Sequence, residues 1–424
     1  MILSHAQTNT CVDTQTQPTS KIYEYQIPLL DNKTVRFPDK EPDITKMLIT
    51  HLDLDLTEVC NLSCSYCFKG KLRGQEMSLE TVKQLTRFLV RYSGSAQDIT
   101  IAMLGGEPLL AFPLLKEWTP WAKKYCRQRG KNLNLQVTTN GTVFQQKHHD
   151  FFRYWRIGLH LSLDGCPQAH DQERKFANGR GSSQIIEQNL PAIFSAWRTV
   201  HARSTIVPET VEYLFDSYRY FCAKGFLRVA FCLANSEKWN NPQILDTLSG
   251  EFRRVLQYHW DLMKEKKRHF TLSYFDGYVE SKEKNEPISS ICGAARGTLH
   301  VDADGFLWPC HRFNGLKRHE YFVLGSIWGG FNNMLRDCYM NINPLRDFVG
   351  RCKTCPANKQ CLPTCICANW QINDSLFEPG QDWCRARQVI YNVCREHADQ
   401  MQKQEPQQWQ TYINWIKNMN NSQF

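Results

Sequence analysis

Two hydrophobic rhythms alternate along residues 47–267. Short apolar runs rich in β-branched residues read as strands: LITHLDLDL (48–56), ITIAML (99–104), LNLQVTT (133–139), GLHLSL (158–163), ARSTIV (202–207) and LRVAFCL (227–233). Segments with helical spacing separate them. Leu79, Val82, Leu85, Phe88 and Leu89 share one helical face; Ser78 ahead of them is a good N-cap, and Glu80 sits well in the first turn. A second helix is expected from about Phe112 to Arg129, stopping at Gly130. A later one, TVEYLFDSYRYFCAKG, is expected to end on Gly225 as its C-cap. Six β–α units in series predict a parallel sheet with right-handed crossovers. They are too few for a complete eight-stranded barrel, so the expected fold class is α/β, a partial (β/α)6 TIM-like barrel.

The rhythm breaks on either side. Residues 1–46 read as an N-terminal extension, polar and turn-rich at first, with a short β-hairpin at 21–37 across Asp31-Asn32-Lys33. Residues 47–267 are the partial barrel. From 268 to 385 short strands and turns take over, and His300-Val301-Asp302 followed by Phe306-Leu307-Trp308 reads as a hairpin delivering Cys310. Residues 386–424 read as a Gln/Asn-rich helix or tail.

Composition adds one strong fact: the 424 residues include 18 cysteines. Aromatics at 12% exclude a disordered chain. The start, MILSHAQTNTCVD, lacks the features of a secretory signal, and no apolar run is long enough to span a membrane. A reducing, cytoplasmic compartment is therefore expected, where clustered cysteines mean metal or redox chemistry. The net charge of +9 is spread thinly without a basic block, so neither nucleic acid nor a membrane surface is expected as partner.

The cysteines are grouped. Cys60, Cys64 and Cys67 form C-x3-C-x2-C directly after the first strand. Cys292 and Cys310 come much later, followed by Cys352, Cys355, Cys361 and Cys365 in C-x2-C-x5-C-x3-C and then Cys384. Cys11, Cys126, Cys166, Cys222, Cys232 and Cys338 stand singly and are expected to pack as small hydrophobes, while Cys367 and Cys394 lie in or next to the dense group. Three thiolates on a short loop suit three corners of a [4Fe–4S] cube with its fourth iron open. Zinc competes on spacing alone, and a zinc-stabilised binding protein is the reading from another class. Zinc usually wants a fourth Cys or His near by, which the first group lacks. The other unusual sequences also fall at strand ends: Gly105-Gly106-Glu107-Pro108, Thr138-Thr139-Asn140-Gly141 and Ser162-Leu163-Asp164-Gly165. In a partial barrel all four loops share the rim that carries chemistry.

The string CNLSCSYC, with these loops, resembles the radical S-adenosylmethionine (SAM) enzymes, and the resemblance spans roughly residues 45–385. It implies that Cys60, Cys64 and Cys67 hold a [4Fe–4S] cluster whose open iron chelates SAM. An electron from the cluster then splits SAM to a 5′-deoxyadenosyl radical, which abstracts hydrogen from the substrate. It further implies SAM contacts from Tyr66 and Phe68 beside the adenine and from Gly105, Gly106 and Glu107 at the methionine ammonium. Asn140 would add a polar contact, Ser162 and Asp164 the ribose side, and Arg174 a contact to the carboxylate.

The later cysteines resemble the SPASM extension of that family, which carries two auxiliary clusters. By resemblance Cys352, Cys355, Cys361 and Cys384 hold the distal one, and Cys292, Cys310 and Cys365 the proximal one, making three [4Fe–4S] clusters in all. The proximal set is one ligand short, because Thr298 stands where some relatives have a cysteine. Either Cys367 or Cys394 completes it or an iron stays open.

SPASM enzymes mostly modify peptides or proteins. The resemblance implies a precursor peptide as substrate, crosslinked through a thioether or carbon–carbon bond or otherwise oxidised, as in the maturases of ribosomally synthesised peptides. It also implies an electron donor such as flavodoxin or ferredoxin. Anaerobic sulfatase-maturing enzymes, which make formylglycine, are the alternative. They usually carry an Asp after the second auxiliary cysteine, where this chain has His311, a candidate base or substrate contact. Residues 1–46 are too few for a full leader-binding module, so a shortened module, a separate leader-binding protein or the 21–37 hairpin would serve.

Overall fold

The computed structural model describes residues 23–26, 34–37, 48–69, 74–197, 199–267, 270–284, 292–315, 322–331, 333–340, 342, 347–358, 361 and 365–421. Strands β1 (Tyr23–Gln26) and β2 (Thr34–Phe37) pair antiparallel as the expected hairpin and form a small sheet of their own.

All six expected barrel strands form. They are β3 (His51–Asp55), β4 (Asp98–Leu104), β5 (Asn132–Thr139), β6 (Gly158–Ser162), β7 (His201–Ile206) and β8 (Arg228–Leu233), each parallel to the next. The row continues beyond them. β9 (Thr271–Leu272) adds to β8, and β10 (Thr298–Val301) lies parallel against β3 in the register Thr298↔His51 to Val301↔Leu54. β11 (Phe306–Trp308), β12 (Gly325–Ser326) and β13 (Gly330–Phe331) follow antiparallel. The result is an eleven-stranded sheet whose strands come from both sides of residue 268. The hairpin that delivers Cys310 therefore stands beside the strand that delivers Cys60.

Alternation along each strand explains the layers. Leu52 and Leu54 of β3, Leu159 and Leu161 of β6, and Val229 and Phe231 of β8 are buried in the core with the outer helices. The first helix runs Leu79–Tyr92; Ser78 caps it by accepting from the Thr81 N–H, and Val82, Leu85, Phe88 and Leu89 are buried. The second runs Phe112–Arg127, two residues short of Arg129. The helix that ends at Gly225 begins at Leu214, because Pro208–Tyr213 winds as a tighter 3₁₀ turn. Gly225 adopts φ 92° and donates its N–H to the carbonyls of Phe221 and Cys222. The C-terminal segment folds as two helices, Gln381–Gln404 and Pro406–Asn421. No described helix is long and apolar enough to cross a membrane.

Candidate active site

The loop after β3 is held from two sides. On one, the Ser63 and Ser65 N–H groups donate to the carbonyls of Lys175 (2.7 Å) and Glu173 (3.1 Å), and Leu62 forms a β-bridge to Phe176. On the other, the Gly106 and Glu107 N–H groups donate to the carbonyls of Thr57 (2.9 Å) and Val59 (2.8 Å). The two glycines allow this close approach. A Cβ on Gly106 would stand 2.1 Å from the Val59 carbonyl oxygen, and one on Gly105, at φ 103°, would stand 2.4 Å from that of Thr57. Both obstacles are backbone, so neither can swing aside. Gly106→Ala is expected to cost about 1–3 kcal/mol by overpacking. It should also lower the iron retained per chain, whereas Gly250→Ala, in the helix Pro242–Lys266 with open space around it, should leave iron unchanged. Equal iron in the two variants would show that the glycine contact does not shape the cysteine loop.

Glu107 is fully buried and its carboxylate is fully used. It accepts from the Leu109 N–H (3.0 Å), the Thr139 hydroxyl (2.7 Å) and the Asn140 N–H (2.7 Å). Burial raises its carboxyl to about 7 against the pull of those donors. Asn140 continues the chain of contacts by donating through Nδ2 to Asn61 Oδ1 at 2.9 Å. The ends of β4 and β5 are thus tied to the cysteine loop after β3 through Glu107, Asn140 and Asn61.

A second network lies beneath Tyr66. Arg174 donates to both oxygens of Asp164, at 2.9 and 3.2 Å, and its guanidinium lies 5.3 Å from the centre of the Tyr66 ring. Asp164 also accepts from the Tyr66 hydroxyl and, at 2.8 Å, from the Thr205 N–H. Burial works against the Arg174 charge, but Asp164 more than compensates and raises its basicity. The expected SAM residues therefore divide. Tyr66, Asp164 and Arg174 converge beside Cys64, whose thiol burial pushes up while the Arg174 charge pulls it down. Ser162 sits half-buried at the end of β6. Phe68 faces the later cysteines instead, its ring 5.4 Å from that of His311 with Arg312 at 5.6 Å over it.

The thiol sets match soft-metal chemistry. Cys60 and Cys64 are half-buried and Cys67 is exposed. Burial, with repulsion from Glu107, Cys64 and Cys67, pushes the Cys60 thiol up to about 11, so thiolates here need a metal to hold them. Among the described residues no three of His, Cys, Asp or Glu crowd closely enough to hold a single ion. A four-iron cube puts each thiolate on its own iron, so its cysteines stand further apart. Cys310 lies within electrostatic reach of Cys365 and Cys292, and Cys384 within reach of Cys361, Cys352 and Cys355. Thiol donors of this kind suit a soft metal such as the iron of an iron–sulfur cluster. Cys367 is buried within reach of Cys365 and Cys310, while Cys394 is buried 4.0 Å from the Tyr274 carbonyl.

Of the singly placed cysteines, Cys126, Cys166 and Cys338 are buried and Cys222 half-buried, as expected of packing residues, and Cys11 lies outside the described residues. Cys232 departs from that expectation. It is exposed on β8, because its position alternates with the buried Val229, Phe231 and Leu233 and therefore faces the barrel interior.

That interior is the part of the site the motif reading missed. Asp53 of β3 accepts from His51 Nε2 at 3.0 Å and pairs with His311 Nδ1 at 3.1 Å. Burial opposes its charge, but the two histidines hold the carboxyl far below the usual range. Asp55, fully buried, meets Lys69, the Asn314 amide (3.1 Å) and His300 (3.2 Å). His160 and His201 stand across the sheet on β6 and β7, pushed down to about 3 and about 4 by burial and by Arg203 and Arg228. The signal was present in the strands as polar residues at every second position: His51, Asp53 and Asp55; His160 and Ser162; His201, Arg203 and Thr205. A barrel filled only by its own packing would be apolar there.

Comparison with known proteins agrees with this geometry. Residues 54–221 match the model of the radical SAM superfamily. The cysteine-type anaerobic sulfatase-maturating enzyme of Clostridium novyi is 25% identical over 329 residues, covering 72% of this chain and 84% of that enzyme. The sporulation killing factor maturation protein SkfB of Bacillus subtilis is 23% identical over 265 residues, covering 61% of this chain and 59% of that protein. Among solved structures, anSMEcpe with bound AdoMet and a Cp18Cys peptide superposes with a TM-score of 0.70 at 19% identity, covering 87% of this chain and 99% of that one. Residues 54–221 thus form a radical SAM domain, and the α/β partial barrel around them has the fold of the superposed enzyme.

Proposed function

We propose that this enzyme modifies a residue of a peptide held inside the barrel, with three [4Fe–4S] clusters and SAM as cofactors. The observation that carries the reading is the convergence of the cysteine loop, the Gly105–Glu107 turn, Asn140 and the Tyr66–Asp164–Arg174 network on one rim above a polar interior. Cys60, Cys64 and Cys67 would hold the SAM-binding cluster. Cys292, Cys310 and Cys365 would hold the proximal auxiliary cluster, and Cys352, Cys355, Cys361 and Cys384 the distal one. When bound, the first cluster and SAM supply one-electron cleavage of the sulfonium and a carbon radical able to take a hydrogen atom.

The chain's own residues bind, orient and shield. Gly105 and Gly106 set the turn against the cysteine loop, so that SAM meets backbone at close range. Asn140 and Ser162 offer polar contacts beside it. Arg174 gives two of its five N–H groups to Asp164, so its part is to fix Tyr66 and the loop after β6; a carboxylate contact would use the remaining three. Phe68 separates the first cysteine group from His311 and Arg312. His311, oriented by Asp53, presents its other ring nitrogen to the interior as a substrate contact. Electrons would come from a flavodoxin or ferredoxin.

Two outcomes for the peptide are supported. Crosslinking fits His311 in place of the Asp usual in sulfatase maturation. Formylglycine formation is favoured by the alignment along 84% of a sulfatase-maturating enzyme. Protein purified without oxygen should be brown with about twelve irons per chain; stoichiometric zinc without that colour would sink the reading. Co-expression with a short peptide encoded beside the gene, followed by mass spectrometry, separates the outcomes. A crosslink removes two hydrogens and leaves no aldehyde; formylglycine from Cys replaces sulfur and two hydrogens by one oxygen, formylglycine from Ser removes two hydrogens, and both leave an aldehyde that a hydrazide traps.

A further inference from the structure

Among the described residues, the interior of the barrel holds a cation without an ion-pair partner. Arg203 of β7 is solvent-exposed although protein surrounds it, and burial lowers the basicity of its guanidinium. No hydrogen bond or ion pair is made by its side chain among the described residues. The acid that bears on it most, Asp53, has one oxygen on His51 and the other on His311. The other interior cations are engaged. Arg228 lies 3.1 Å from His201 Nε2, Arg312 lies over Phe68, and Arg387 bonds Tyr274 and Cys361.

The register gives Arg203 its surroundings. It is level with Ser162 on one neighbouring strand and Ala230 on the other, and one row below Thr205 and Cys232. Ala230 is exposed, so space lies open beside the guanidinium. Arg203 bears electrostatically on Asp53, Cys232, His160 and His201, the residues that line the barrel interior around it.

We propose that Arg203 is the specificity residue for a carboxylate of the substrate peptide, an acidic side chain or a free C-terminus that enters the barrel and pairs with it. The inference rests on the peptide-modifying reading above and adds the charge class of the peptide. A peptide that enters the barrel displaces water from the guanidinium, which is then costly to leave unpaired, and a carboxylate matches its fork with two parallel hydrogen bonds. An amide of the same shape fits but leaves the charge unanswered.

The test uses the anaerobically purified full chain with short acetylated, amidated peptides, Gly-Ala-Tyr-X-Ala-Gly, in which X is Asp, Glu, Asn or Gln. A fifth peptide with X as Asn keeps a free C-terminal carboxylate. Binding is read by calorimetry. The acidic peptides, or the free-carboxylate peptide, should bind about tenfold more tightly than the amides, as a charge-assisted pair predicts. Arg203→Gln should collapse that ratio towards one, and Arg203→Lys should restore part of it. Which peptide gains identifies the source of the carboxylate. Equal binding of acids and amides, no binding at all, or a ratio that persists in Arg203→Gln would overturn the proposal. So would weaker SAM binding in Arg203→Gln with the ratio intact, which would assign the arginine to SAM. Metal content and colour of the wild type are measured in parallel; stoichiometric zinc without brown colour would defeat the radical SAM reading independently of the peptide ratio.

Discussion

Replacing Cys60, Cys64 and Cys67 together by Ala should abolish formation of 5′-deoxyadenosine and remove about four of about twelve irons per chain. The auxiliary groups share no cysteine with this loop, so about eight irons should remain. The fold should also persist. The loop is fastened by backbone bonds from Ser63 and Ser65 to 173–175 and from Gly106 and Glu107 to 57–59, none of which uses a cysteine side chain. Iron analysis and the product assay on the same sample check both halves. Residual cleavage of SAM would move the SAM-binding cluster elsewhere in the chain. Loss of all iron would mean that the three groups do not assemble independently.

Much of this site was legible in the sequence, for a definite reason. The iron ligation proposed for Cys60-Cys64-Cys67 and the close backbone approach at Gly105-Gly106-Glu107 each restrict residue type at fixed spacing, so both strings stand out along the chain. The strands were legible because the outer face of a barrel must be apolar to meet its helices, which gives β3, β6 and β8 their alternation. Three things were harder to read. The parallel placement of β10 against β3 joins residues nearly 250 positions apart (298 − 51 = 247), and a four-residue strand carries no trace of its partner. The tie of Asp164 to Arg174 depends on a loop and a helix end meeting; the motif named both residues but not what they do to each other. The exposure of Cys232 could have been found, since it falls on the polar phase of LRVAFCL, but a lone cysteine in an apolar run more often packs.

Asp164→Ala is expected to be the most destabilising single change at the site. It strips Arg174 of both its acceptors while leaving the guanidinium nine-tenths buried, and such a break typically costs about 3–5 kcal/mol. The Tyr66 hydroxyl and the Thr205 N–H lose their acceptor at the same time. Arg174→Met should cost less, because Asp164 keeps the Tyr66 and Thr205 donors and an apolar side chain of similar length fills the space. If the pair is the main cost, the double variant should be less destabilised than the sum of the two singles, since neither charge is then left alone. Urea midpoints of the four proteins give the cycle. Strict additivity would mean that the two side chains stabilise the rim independently. SAM affinity supplies a reading that stability alone cannot. If Asp164 acts by positioning Tyr66 and the loop after β6, the double variant should recover stability without recovering SAM binding. If Arg174 contacts SAM directly, Arg174→Met should lose SAM affinity to the same extent as Asp164→Ala although it unfolds later. The first outcome follows from the geometry, because two of the guanidinium's N–H groups are already committed to Asp164 and the tyrosine ring covers one of its faces.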